Sequence, residues 1–175
     1  MDRAIYLISG IPGAGKTTVA GLLARRFERG VHIESDRLQE LIVTGGLWPD
    51  GEPHDEALRQ LRLRGRHASM LADSFFAAGF TPVVDDVVIG ARLGEFRSDI
   101  RARPLRFVLL APRAEVVRAR DIAREGKHVF DRWGHLDKAM RAETPRLGLW
   151  LDSSAQTAEE TAEEILRRAA EAEIE

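Results

Sequence analysis

The chain contains no cysteine and no asparagine. The first absence excludes disulfides, thiolate metal centres and cysteine nucleophiles. The second excludes the Asn-Lys-x-Asp motif with which GTPases read guanine. Lysine is nearly missing too, present only as Lys16, Lys127 and Lys138 among many arginines. No apolar run approaches the ~20 residues that a membrane-spanning helix needs. The N-terminus enters an apolar run without a basic leader or a small-residue cleavage site, so a cytoplasmic protein with no membrane partner is expected. A net charge of −2 and a pI near 6.2 exert no general pull on polyanions. A nucleic-acid partner would therefore require a local basic patch, and composition supplies none.

What remains is ample for one core. With 175 residues, 44% of them hydrophobic, the chain fits a single domain spanning 1–175 and is too short for two. Apolar β-type runs recur at residues 4–9, 31–34, 81–84, 105–110 and 147–151, separated by segments long enough for crossover helices. This alternation predicts an α/β fold with a five-stranded parallel sheet covered by helices on both faces. The longest helix is expected from Asp55 to Ala78, with Leu58, Leu61, Ala68, Leu71, Phe75 and Ala78 as its apolar stripe. Its arginines, Arg59, Arg62, Arg64 and Arg66, read mainly as a solvated face, with a substrate-facing role as the alternative. Thr157-Ala-Glu-Glu160 forms a plausible capping box for a closing helix.

Residues Gly10 to Thr17 match G-x-x-x-x-G-K-[ST] completely, between the run at 4–9 and the amphipathic segment of Val19, Leu22, Leu23 and Phe27. Strand, glycine-rich loop and helix in that order make a phosphate-binding P-loop. The backbone of Gly10, Ile11, Pro12, Gly13, Ala14 and Gly15 would turn its N–H groups around the α and β phosphates, and the N-terminal end of the following helix, with Thr18, would face the same anion. Lys16 would reach the β and γ phosphates, and Thr17 would place its hydroxyl on Mg²⁺. With only three lysines in the chain, a lysine at the one position the motif requires adds to its weight.

In an open parallel sheet the ligand sits beyond the carboxyl ends of the strands, so those ends carry the other candidates. Glu34-Ser35-Asp36 closes the second run, and Asp36 could accept a proton from an attacking hydroxyl or cap a helix with Gln39 as the partner three residues on. Val83-Val84-Asp85-Asp86 closes the third run. One aspartate there, Asp85 as the first polar residue or Asp86 on the opposite side, suits support of Mg²⁺ through water, and two helix-capping turn residues are the alternative. After the fourth run, Arg120 and Arg124 lie four apart, so that both could close over a nucleotide in a lid spanning about 120–132. Asp152 and Ser153, after the fifth run, border the expected adenine position, although the serine hydroxyls there could instead cap the last helix. The Thr44–Pro53 stretch, rich in glycine and proline around Trp48, is the clearest loop and could cover an acceptor.

On the Gly10–Thr17 loop, Ser35-Asp36-Arg37-Leu38, Val84-Asp85-Asp86-Val87 with Gly90, and Arg120-Asp-Ile-Ala-Arg124-Glu-Gly-Lys127, the chain resembles the small P-loop phosphotransferases and, among them, the chloramphenicol phosphotransferase family. The resemblance implies strand order 2-3-1-4-5, ATP and Mg²⁺ at Lys16 and Thr17, Asp36 as general base, and Arg120 and Arg124 in the lid. The implied reaction moves the γ-phosphate of ATP to a hydroxyl of a small molecule. A nucleotide or polynucleotide 5′-hydroxyl kinase, with Arg62, Arg64 and Arg66 on phosphates, and a nucleotide-gated regulatory ATPase are the other readings. The Thr44–Pro53 loop and the Asp55–Arg66 region show no drug-binding pattern that transfers.

Overall fold

The apolar runs do become strands, and their burial is near total. In a computed structural model that describes residues 3–123 and 135–175, β1 (Ile5–Ser9), β2 (Gly30–Glu34), β3 (Thr81–Asp85), β4 (Leu105–Leu110) and β5 (Leu149–Leu151) form one parallel sheet in the order β2-β3-β1-β4-β5. Every residue of β1, β3 and β4 is buried. Such two-sided burial explains why these strands read as continuous apolar runs rather than alternating ones. Each fully buried Leu or Ile contributes about 1.5–3 kcal/mol by leaving water, so β1 and β4, paired from Ile5↔Leu105 to Ser9↔Leu109, are the stable centre against which the site is built.

The crossovers cover both faces. Helix α1 (Lys16–Ala24) packs beside α7 (Ala158–Arg167), while α2 (Ser35–Glu40), α3 (His54–Ala77) and α4 (Arg92–Asp99) form a second packed group. Helices α5 (Ala114–Ala123) and α6 (Leu136–Glu143) follow β4. The expected capping box is present at α7, where the Glu160 N–H donates to Thr157 Oγ1 and the Thr157 N–H donates to Glu160. Two features depart from the sequence reading. After α7 the chain makes a 3₁₀ turn, Ala169–Ala172, and a two-residue strand, β6 (Glu173–Ile174), pairs antiparallel with the start of β4. The fifth strand is also shorter than the run at 147–151, because Gly148 with φ 65° turns the chain just before it.

The face of α3 differs from the expected stripe. Its buried positions are Ala57, Gln60, Arg64, Gly65, Ala68, Ser69 and Ala72, whereas Leu58 and Leu71 are 45% and 38% exposed. Small side chains let the helix approach β2 and β3 closely, so the volume a leucine stripe would fill is instead taken by backbone. Arg64 rides on that inner face, and this single shift remakes the site.

Candidate active site

The phosphate loop follows β1 directly. Gly10 has φ 153°, and a Cβ there would stand 2.7 Å from the Leu110 carbonyl oxygen, so the loop passes where a side chain cannot. Gly15, at φ 92°, sets the left-handed turn that starts α1 at Lys16. The Lys16 ammonium donates to the Ile11 carbonyl at 3.2 Å, which curls the side chain over its own loop. Burial lowers the Lys16 pKa, against the charges of Asp85, Asp36 and Asp86. An anion in the loop would meet both the amide dipoles and this partly desolvated cation.

The register of the sheet separates the two aspartates. Asp85 pairs across to Ile8 on one side and to Glu34 on the other, which aims its carboxylate at α1. The Thr17 hydroxyl donates to Asp85 Oδ1 at 3.0 Å, and His32 Nε2 lies 2.5 Å from Oδ2. Donating that proton leaves the lone pairs of the Thr17 oxygen to face outward. Asp86 turns the other way, into α3 and α4. It receives Arg64 at 2.7 Å on one oxygen and Arg92 at 3.1 Å on the other, and its own chain's Val87 N–H as well. It is a deeply buried structural carboxylate held between two guanidiniums, and it is neither of the two turn caps considered from the sequence.

Asp36 sits in the first turn of α2, whose N-cap is Glu34 without a side-chain bond. The capping alternative is therefore corrected: the helix has already begun, and Gln39 donates instead to the Leu47 carbonyl and to Gln60. The Asp36 carboxylate accepts from Arg64 at 3.0 Å with its side chain 61% exposed. Desolvation in the cleft raises its pKa despite Arg64, and the nearby Asp86 and Asp85 charges act in the same direction. Reading Arg64 as a solvated face is likewise corrected. It is 5% exposed and joins α2, α3 and β3 through two carboxylates.

A cavity of about 430 Å³ opens beside these groups. Pro12 of the phosphate loop and Asp36 both line it. From the 44–53 loop come Trp48, Pro49 and Asp50, and from the segment after β3 come Val87 and Ile89. Helix α6 contributes Leu136, Ala139 and Glu143 to the lining. Buried Gln60 fixes the loop by accepting from the Leu47 N–H at 2.7 Å and donating to the Gly45 carbonyl at 2.8 Å. Helix α6 is fixed by Arg141, which donates to the carbonyls of Ala111 and Pro112, and by the Gly90 N–H, which donates to Thr144. Sequence reasoning missed Gln60, Arg92, Glu143 and His32. For Gln60 and Arg64 a signal existed, since they share the three- and four-residue spacing of the small residues Ala57, Ala68 and Ala72.

On the other side of the phosphate loop, Arg120 donates to the carbonyls of Ser153 and Gln156 at 2.8 and 3.2 Å, bringing the start of the expected lid against the turn after β5. Ser153 itself is buried, its hydroxyl without a partner. The Asp152 carboxylate accepts the Ser154 N–H and hydroxyl, bonds that lower its pKa, and it lines a second cavity with Arg113 and Trp150. Arg124 and the rest of the expected lid to residue 132 lie outside the described residues.

A family model described as Zeta toxin matches residues 2–45, which take in β1, the phosphate loop, α1, β2 and α2. No curated protein sequence matches the chain. Similar solved structures include a sugar kinase from Janibacter sp. HTCC2649, at 21% identity and TM-score 0.67, covering 98% of this chain and 96% of that one. A shikimate kinase from Acinetobacter baumannii in complex with shikimate is similar at 20% identity and TM-score 0.65, over 96% and 93% of the two chains. A gluconokinase from Sinorhizobium meliloti 1021 is similar at 19% and 0.64, over 97% and 94%. The chain thus has the fold of the small P-loop kinases, in the strand order expected. Among the described residues no helix is long and apolar enough to cross a membrane.

Proposed function

We propose that this protein is an ATP-dependent phosphotransferase that moves the γ-phosphate to a hydroxyl of a small molecule. The observation that carries the reading is that both Pro12 of the phosphate loop and Asp36 line one cavity. An alcohol held there would stand between the transferring phosphate and a carboxylate. In the described residues no cluster of three metal-ligating side chains exists, and Mg²⁺ does not need one. It keeps several waters and takes one or two protein oxygens beside phosphate oxygens, a requirement that Thr17, with Asp85 behind it, fits. Bound Mg²⁺ would supply charge neutralisation at the phosphates. Lys16 holds the β and γ oxygens, Arg64 orients the Asp36 carboxylate, and Asp36 takes the acceptor proton as the new bond forms.

The similar structures support a small-molecule acceptor, since their names give a sugar, gluconate and shikimate. Within the small P-loop phosphotransferases, likeness to the chloramphenicol phosphotransferase family rests on the sequence motifs alone. Two of the three arginines on which the polynucleotide alternative rests are already engaged. Arg62 pairs with Glu95, and Arg64 is buried between carboxylates. Asp36→Asn tests the proposal. Phosphoryl transfer should fall about 10²–10⁴-fold with ATP affinity nearly unchanged, because only the acceptor proton is affected. Normal turnover of this variant with a working acceptor would refute the role of Asp36.

A further inference from the structure

We propose that the acceptor cavity takes a partly apolar alcohol bearing a cationic amine, with Glu143 as its counter-charge, and that it rejects alcohols bearing a carboxylate. The inference rests on the kinase reading for its geometry but concerns a different property, the charge of the acceptor. At first sight two arginines on the wall, Arg64 and Arg92, invite an acid. Both are already engaged. Asp86, its side chain 1% exposed, holds Arg64 and Arg92 on separate oxygens. The other terminal nitrogen of Arg64 donates to Asp36, and that of Arg92 donates to the Val87 carbonyl at 2.7 Å. The remaining Nε of each is buried beyond the reach of a ligand. A carboxylate entering the cavity would meet two guanidiniums whose charge Asp86 and Asp36 already balance, and it would still face Asp36.

The opposite charge finds a ready place. Glu143 lines the cavity, is exposed, and has neither an ion pair nor a hydrogen bond among the described residues. It stands at the last position of α6, where the negative end of the helix dipole adds to its own charge. Spacings of three and four carry Leu136, Ala139 and Glu143 along one face of that helix. An ammonium at Glu143 and a hydroxyl at Asp36 would therefore be bridged by a body lying on Leu61, Ile89 and Leu136. Like charge penalises the wrong ligand as much as unlike charge attracts the right one.

Three compounds share a benzyl alcohol and differ only in the end group across the ring from the hydroxyl: 4-(aminomethyl)benzyl alcohol, 1,4-benzenedimethanol and 4-(hydroxymethyl)benzoate. Their affinities are measured by calorimetry at neutral pH on the full chain with Mg²⁺ and a non-hydrolysable ATP analogue. The ammonium compound should bind about tenfold more tightly than the diol, and the benzoate most weakly. Glu143→Gln, at an exposed position that the fold does not need, should remove that tenfold advantage and leave the diol unchanged. The benzoate binding as tightly as the amine, no binding of the amine at millimolar concentration, or an amine-to-diol ratio unmoved by Glu143→Gln would each overturn the proposal. Failure of the kinase reading looks different: the charge preference would persist while no phosphate passed from ATP to any bound alcohol.

Discussion

The two halves of the site are built by different means. The phosphate half is a contiguous loop whose shape comes from glycine backbone, with Lys16 and Thr17 next to one another in the chain. The acceptor half is assembled from Asp36, Arg64, Asp86, Arg92 and Glu143, which five separate segments bring together around a buried ion-pair cluster. A backbone-made site tolerates side-chain change outside its motif and is rigid by construction. One made of buried charges ties ligand recognition to stability, because each partner removed leaves another charge uncompensated.

That difference predicts where substitutions will do their damage. The largest effect should come from Asp86→Asn, which leaves Arg64 and Arg92 without their shared carboxylate. Breaking a buried pair of this kind costs about 3–5 kcal/mol, to be read from denaturant unfolding. A loss under about 1 kcal/mol, within the range of an exposed ion pair, would erase the proposed contrast between the halves. Next comes Lys16→Ala, expected to lower phosphoryl transfer about 10²–10³-fold while the unfolding midpoint stays put. A folded Lys16→Ala protein with normal turnover would contradict the role of the loop.

These two variants also mark what could be read from the residues alone. The phosphate half was legible because its physics is local: the glycines, Lys16 and Thr17 lie in one string, and the apolar runs that frame it are buried on both sides. Strand order followed from the resemblance. In the acceptor half only Asp36 and the 44–53 loop stood out, because Arg64 looks like any helix arginine until small residues draw α3 against β2 and β3, and because Asp85 and Asp86 are equivalent until sheet register turns one to Thr17 and the other to Arg64. Glu143 carries no pattern at all. Its position follows from the bonds of Arg141 and Thr144, which exist only in the folded chain.

Smaller effects sharpen the comparison. Thr17→Ala should weaken activity about tenfold at low Mg²⁺ and recover as the metal is raised, since the hydroxyl is one ligand among waters and phosphate oxygens. A defect indifferent to Mg²⁺ would remove Thr17 from the metal. The raised pKa of Asp36 has a signed consequence. The base must be ionised to accept a proton, so kcat/KM should climb with pH along an acid limb above the ordinary carboxylate range, and Asp36→Asn should abolish that limb. Away from both halves, Thr157→Ala removes the capping box of α7 and should cost about 1 kcal/mol of stability with activity unchanged, as a control for the claim that only the acceptor half couples the two.

The most direct measurement follows the phosphorus. Wild-type protein is incubated with Mg²⁺ and ATP over a panel of hydroxylated amines, neutral alcohols and hydroxy acids, and the products are followed by ³¹P NMR. The account predicts ADP together with a new phosphomonoester resonance in the presence of a subset of alcohols, and very little inorganic phosphate without them. Slow release of inorganic phosphate alone, the same whichever alcohol is added, would contradict it and leave a nucleotide-hydrolysing switch in its place.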